Sequence, residues 1–246
     1  MTLVGKRVLI TGGGTGLGAN MALGFAQSGA EVIIAGRRPE PLNTVAATHE
    51  NIRSVVADVT SEKSVAAMFV AAGPCDIVIA NAGAAESAPF GRVTMDQWNT
   101  MIAVNLTGVF LTFREGLNQM QGWGRFIAIA STASLKGFAY VAPYAAAKHG
   151  VIGLVKSLAL EVAKKPITVN AICPGYLNTE MTDRSVEAIV KKTGRFPEQV
   201  RQTLASQNAH GRLIEPTEVT AVAVRLCSED SDSINGQAIA IPEGQL

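Results

Sequence analysis

Aromatic residues are scarce, cysteines fewer still, and neither sign of charge predominates. The 246 residues hold eight Phe, three Tyr, two Trp and three Cys, with a net charge of +1. Cys75, Cys173 and Cys227 are odd in number, far apart and outside any Cys-x-x-Cys pair. That argues against a disulfide framework or a thiolate metal site and for reduced core residues. No metal is expected. With 21 Lys and Arg against 20 Asp and Glu, and no long basic run, nothing favours nucleic acid or an anionic membrane surface. No uninterrupted apolar run reaches the ~20 residues of a membrane span. The first six residues lead straight into a strand-like run, which leaves no secretory leader and makes the cytoplasm the expected location.

What is present is an alternation. The chain is 48% hydrophobic and 17% charged, the balance of a globular protein with a sizeable core. Seven short runs, Arg7–Ile10, Glu31–Ala35, Ile52–Ala57, Asp76–Ala80, Arg125–Ala130, Thr168–Ile172 and Ala238–Ile241, are separated by stretches with helical periodicity. Most are continuously apolar, as parallel strands covered on both faces are. The expected fold is α/β, a doubly wound seven-stranded parallel sheet of Rossmann type in a single domain, residues 1–246. One connection is out of scale. After Pro174, about 35 polar, partly helical residues carry no strand, whereas α/β connections are usually a few residues long. Residues 176–208 are therefore expected to form a helical substrate lid, with helices near Arg184–Lys192 and Pro197–Gln207.

The first strand runs into Thr11-Gly12-Gly13-Gly14-Thr15-Gly16-Leu17-Gly18, and a helical stretch follows. A glycine-rich strand-to-helix turn lets a pyrophosphate approach backbone N–H groups at the helix's positive end. The spacing Gly12-x-x-x-Gly16-x-Gly18 differs from G-x-G-x-x-G, and no Gly-Lys-Ser/Thr follows to suggest a nucleoside-triphosphate loop. The end of the second strand, where an acid would bind a ribose hydroxyl, reads Gly36-Arg37-Arg38. A missing carboxylate and two guanidiniums favour the extra phosphate of NADP over NAD. Asp58-Val59 ends the third strand, where the carboxylate could accept from an adenine amino group.

Tyr144-Ala145-Ala146-Ala147-Lys148 opens the apolar helical stretch Val151–Ala163, and i,i+4 spacing puts phenol and ammonium on one face. Ser131 closes the preceding strand at the ligand-binding edge, and Ser134 is its rival. His149 is expected on the helix surface or at a subunit contact. Together these residues resemble the short-chain dehydrogenases/reductases, in their single-domain form. The resemblance spans nearly the whole chain through Thr11-Gly12-x-x-x-Gly16-x-Gly18, Asn81-Ala82-Gly83, Asn105, Ser131, Tyr144-x-x-x-Lys148 and Pro174-Gly175.

The resemblance implies a catalytic set of Asn105, Ser131, Tyr144 and Lys148. Tyr144 would act as general acid in reduction and general base in oxidation, with its pKa, about 10 when free, lowered by Lys148 and the oxidised nicotinamide. Ser131 would hydrogen-bond the substrate oxygen, Lys148 the nicotinamide ribose, and Asn105 a relay water. Asn81, Ala82 and Gly83 would line the adenosine side, and Pro174, Gly175 and Thr179 the nicotinamide. A cysteine at 173 is usually inert in this family. Identical subunits are the expected partners, in a homotetramer, with Trp98 and Val104 through Phe113 pairing with the Tyr-Lys helix.

Three features depart from the pattern. The C-terminal stretch is Ile241-Pro242-Glu243-Gly244, position 15 is Thr where many NADP users have a basic residue, and the helix before Asp76 looks short. The overall style is most like 3-oxoacyl reductases acting on acyl-carrier-protein or CoA thioesters. Sugar, steroid and small cyclic alcohol dehydrogenases share these features. The lobe's Arg184, Lys191, Lys192, Arg195 and Arg201 would suit an incoming CoA phosphate or simply a solvated helix face. A catalytically inactive nucleotide-binding regulator is the alternative of a different class. An epimerase or dehydratase would call for another glycine spacing and a longer C-terminal part.

Overall fold

The computed structural model describes residues 2–241. Seven strands, β1 Arg7–Thr11, β2 Glu31–Gly36, β3 Ile52–Val56, β4 Ile77–Ala80, β5 Gly124–Ile129, β6 Ile167–Pro174 and β7 Ala238–Ile241, form one sheet. Its order is β3-β2-β1-β4-β5-β6-β7, and every pairing is parallel. The chain builds outward from β1 in one direction, then returns to pair β4 on β1's other side. Beside that reversal, at the strands' C-terminal ends, an open α/β sheet has its ligand crevice.

Successive strand residues serve opposite faces. Val8, Ile10, Ile34 and Ile79 pack with Met21 and Phe25 of helix α1 (Gly16–Gln27). Leu9, Ile33, Val78 and Phe126 pack with Phe69 and Phe113, which lie on α3 (Glu62–Ala72) and α5 (Gly108–Gln119). Burying one such side chain contributes about 1.5–3 kcal/mol. With both faces covered, no polar alternation survives in β1, β2 and β4, which is why they read as apolar runs. α2 (Pro39–Ala46) follows β2. The helix before Asp76 is not short. α3 has 11 residues, starts from a Ser61 cap that accepts from the Ser64 amide at 3.3 Å, and stops at Gly73 with φ 73°.

α4 (Met95–Ile102) and α5 are joined by one π-helical turn, Ala103–Thr107. α6 (Ala142–Glu161) is the long helix carrying Tyr144 and Lys148. The excursion after β6 contains α7 (Glu180–Thr193) and α8 (Pro197–Ala205). α7 begins earlier than Arg184, because Thr179 heads it and Glu180 and Asp183 place negative charge in its first turn. α8 stops at Ala205, two residues short of Gln207. Val186, Val200 and Leu204 form a separate small core for this lobe, packed by Tyr176, Ile189 and Val190. α9 (Pro216–Leu226) returns the chain to the sheet and docks on α1, where Thr220 Oγ1 donates to Asn20 Oδ1 at 2.6 Å.

Among the described residues no helix is long and apolar enough to cross a membrane. Pro242, Glu243 and Gly244, where the sequence departs from the resemblance, lie outside the described residues.

Candidate active site

The glycine turn is built for close approach. A Cβ on Gly18 would overlap the Gly12 carbonyl oxygen, so α1 starts against the end of β1 only because position 18 has no side chain. The Gly12 and Gly13 amides are spent on the Ala35 carbonyl, at 2.7 and 3.2 Å. Asn81 then locks the turn to β4: its Nδ2 donates to the carbonyls of Thr11 (3.0 Å) and Gly12 (3.2 Å). The Asn81 and Ala82 amides both donate to Thr11 Oγ1 at 3.1 Å. Thr15 precedes α1 in extended conformation and its side chain makes no cap bond. The first amides of α1, at Gly16, Leu17 and Gly18, thus head a helix whose positive end no side chain covers. This arrangement fits a dinucleotide pyrophosphate.

Arg37 and Arg38 follow β2, both exposed and without hydrogen bonds or ion pairs among the described residues. Asp58 lies close enough for Arg37 to help hold its carboxyl below the ordinary value, although the larger influence is the Thr60 amide, which donates to Asp58 Oδ1 at 2.9 Å. Val59 is buried. Its side chain meets the space that a Cβ on Gly108 would occupy, so it packs against α5.

Ser131, Tyr144 and Lys148 converge at the ends of β5 and β6. Ser131 is extended and caps a short turn, its Oγ accepting from the Ala133 amide at 3.1 Å. Ser134 is buried, and its hydroxyl accepts from the Ser131 amide at 3.1 Å. The two serines are therefore distinguished by geometry: Ser134 braces the turn and Ser131 faces Tyr144. Lys148 is buried, donates to the Ile129 carbonyl at 2.7 Å, and lies 5.8 Å from the centre of the Tyr144 ring. Asn105 sits fully buried in the π turn. Its Nδ2 donates to the carbonyls of Ala84 (2.9 Å) and Met101 (3.1 Å), and its Oδ1 accepts from the Ala84 amide (3.2 Å). A Cβ on Gly83 would lie 3.1 Å from Asn105 Oδ1 and 3.9 Å from Lys148 Nζ. Position 83 thus keeps a space open beside both residues.

Burial dominates the electrostatics of the phenol and the ammonium. Burial holds Tyr144 above the ordinary tyrosine value. Hydrogen bonding with Ser131 works the other way, and the phenol of Tyr176 and the thiol of Cys173 push it further up. The Lys148 ammonium is itself engaged by the Ile129 carbonyl. Burial brings Lys148 itself down to about 8. Cys173 is buried and pushed up to about 11 by burial, an inert thiol at neutral pH. His149 is exposed, with Nδ1 2.9 Å from the Ala145 carbonyl, on the helix surface as expected.

Past β6, Pro174 is buried and the Gly175 amide donates to the Ile241 carbonyl at 2.8 Å. Thr179 makes no side-chain cap bond, and it is the residue a Cβ on Gly16 would meet, at 3.5 Å. The glycine turn and the start of the lobe thus face one another across the sheet edge. The lobe's cations are mostly occupied. Arg201 pairs with Asp183 and with Asn178, Arg184 lies 3.9 Å from Glu180, Arg195 donates to Thr203 Oγ1 at 2.9 Å, and Lys192 donates to the Ser87 carbonyl at 2.9 Å. Two residues of this region carry no sequence motif: Tyr176, which packs on the lobe core, and Asn208, which holds the Tyr176 backbone. A polar cleft of about 490 Å³ lined by Lys6, Arg7, Glu31 and Asp76 lies at the opposite end of the strands and takes no part in this site.

Fold and glycine turn together define a doubly wound α/β protein with a dinucleotide-type crevice at the strands' C-terminal ends. The chain belongs to the short chain dehydrogenase family, whose model matches residues 6–189. It is 35% identical to D-beta-hydroxybutyrate dehydrogenase of Cupriavidus necator, over 95% of this chain and 95% of that protein. It is 36% identical to acetoacetyl-CoA reductase of Rhizobium meliloti, over 96% and 97% respectively. A variant of actinorhodin polyketide ketoreductase crystallised with NADPH superposes with a TM-score of 0.89 at 30% identity, covering 96% of this chain and 95% of that one. The protein is accordingly an oxidoreductase acting on CH–OH or keto groups.

Proposed function

We propose that the protein interconverts a ketone and a secondary alcohol with NADP(H), and that its substrate is a 3-oxoacyl thioester or a close analogue. The observation that carries this reading is the grouping of Ser131, Tyr144 and buried Lys148 at the ligand edge of the sheet, with Lys148 Nζ fixed 2.7 Å from the Ile129 carbonyl. The relatives named acetoacetyl-CoA reductase and D-beta-hydroxybutyrate dehydrogenase support a short oxygenated acyl substrate. The internal pairing of the lobe's arginines favours the acyl part over a distant phosphate as the recognised group.

Bound NADPH supplies the hydride. In this reading Gly12, Thr15, Gly16, Leu17 and Gly18 cradle the pyrophosphate, and Arg37 and Arg38 take the 2′-phosphate. Asp58, Val59, Asn81, Ala82 and Gly83 line the adenosine side, and Pro174, Gly175 and Thr179 the nicotinamide. The Ser131 hydroxyl donates to the substrate oxygen and stabilises the charge that builds there. Tyr144, kept protonated by its raised pKa, gives its phenolic proton to that oxygen. Lys148 supplies positive charge beneath the phenol, and Asn105 keeps the 83–84 loop beside it. Residues 176–208 form the lid of a single domain. Cytoplasmic placement and a homotetramer complete the reading. The exposed Trp98 and Phe110, on α4 and α5, are the apolar surface that supports self-association.

Rates of NADPH and NADH oxidation with acetoacetyl-CoA test it. NADPH-preferring turnover is expected. Binding of NADPH without turnover of any 3-oxo thioester would overturn the substrate assignment.

A further inference from the structure

The excursion between β6 and α9 is closed at its roots by one side chain. Asn208 is buried at the end of the lobe, and its amide pairs with Tyr176 as a neighbouring strand would: Oδ1 accepts from the Tyr176 amide and Nδ2 donates to the Tyr176 carbonyl, both at 2.9 Å. The same Nδ2 donates to the Arg212 carbonyl at 2.7 Å, so Asn208 ties the outgoing chain to the returning one. The fit is close enough that a Cβ on Gly175 would overlap Asn208 Oδ1. The Ile214 amide adds a further bond to the Tyr176 carbonyl at 3.0 Å, and Leu177 and Ile214 form a parallel bridge. With its backbone held on both sides, Tyr176 packs its ring on the lobe core of Val186, Val200 and Leu204. Tyr176 is half-buried and follows Pro174 and Gly175 just past the C-terminal end of β6, beside the end of β5 that delivers Ser131. Its phenol makes no hydrogen bond among the described residues.

No catalytic step described above uses this second phenol. A phenol is both donor and acceptor, and a half-buried one at the ligand edge of the sheet loses hydrogen bonds to water that a ligand can replace. We propose that Tyr176 is a specificity-determining residue that hydrogen-bonds a second oxygen function of the substrate, beyond the reacting carbonyl, and that Asn208 is the positioning residue that sets it there. The favoured substrate class is a dioxygenated ketone. A site built to hydrogen-bond a substrate group discriminates against the analogue that lacks it, because its own polar atom is then left unpaired. This inference rests on the proposed oxidoreductase site and specifies its substrate class.

The test uses the purified protein with NADPH and two ketone pairs: ethyl acetoacetate against 2-hexanone, and cyclohexane-1,3-dione against cyclohexanone. Wild type should prefer the dioxygenated member of at least one pair. Tyr176→Phe should lower kcat/KM for that member about five- to tenfold, mainly through KM, and leave the monoketone within about twofold. Asn208→Ala should reproduce the pattern while NADPH binding, followed by nucleotide fluorescence, stays unchanged. Asn208→Asp, which keeps only the acceptor, should fall between. If Asn208→Ala does not fold, Tyr176→Phe decides alone. Wild type that prefers neither dioxygenated ketone or reduces none, or equal losses for both members of a pair in Tyr176→Phe, would overturn the inference. Undiminished turnover in Tyr144→Phe would overturn the catalytic reading instead.

Discussion

The Lys148 ammonium donates to the Ile129 carbonyl at 2.7 Å, pinning the first turns of α6 to the end of β5. The bond couples the buried charge to the strand that delivers Ser131. It also holds the ammonium 5.8 Å from the centre of the Tyr144 ring.

A pH dependence follows from the two shifts. Tyr144 is raised and stays protonated through neutrality, whereas Lys148 loses its proton at about 8. The reductive rate should therefore fall as pH rises through about 8, where Lys148 loses the charge it holds beside the reacting oxygen. Oxidation, which needs the phenolate, should gain only above the ordinary tyrosine value. Lys148→Arg should remove the reductive limb near 8, read from kcat/KM against pH. The same shift acts on stability. Between about 8 and the ordinary lysine value of 10.5 the unfolded chain holds a proton that the folded protein lacks. Stability gains from this group as pH rises through that window and is independent of it below.

The serines should separate cleanly. Ser131→Ala removes the hydroxyl that faces Tyr144 and should lower kcat about a hundredfold or more, as loss of an oxyanion donor does. Ser134→Ala removes the acceptor for the Ser131 amide and should cost about 1–3 kcal/mol of stability. Its kcat should fall much less. Single-turnover rates beside thermal melts check both.

Much of this was legible in the sequence because parallel strands buried on both faces leave an unbroken apolar signature; Val8, Leu9 and Ile10 serve two cores at once. The glycine turn and the Tyr144–Lys148 pair were equally readable, being local patterns. The π turn at Asn105 left no such trace. It holds a buried amide that bonds the Met101 carbonyl and also reaches Ala84, 21 positions away in the chain. Asn208 escaped for the same reason, since its partner Tyr176 lies 32 positions away. The direction of the Tyr144 shift is set first by burial of the phenol, which i,i+4 spacing does not encode.

Asn105→Ala should show that buried amide's contribution. The substitution strands the Ala84 amide and two carbonyls, at about 1–3 kcal/mol for each buried group left unpaired. Denaturant unfolding should record the loss. A variant as stable as wild type would mean that the π turn holds without it.

Coenzyme choice should rest on Arg37 and Arg38, which are exposed and unengaged among the described residues. Replacing both with Ala should raise the KM for NADPH about tenfold or more, since each charge-assisted bond contributes about 1.5–3 kcal/mol. The KM for NADH should change little. Equal changes for both coenzymes would cast the pair as a surface loop.

The most direct measurement compares wild type with Tyr144→Phe in NADPH oxidation with acetoacetyl-CoA, alongside NADPH binding by each protein. Turnover should drop about a hundredfold or more while binding persists, placing the proton donor at that phenol. A variant that binds NADPH and keeps wild-type turnover would contradict the assignment of Tyr144 as the acid.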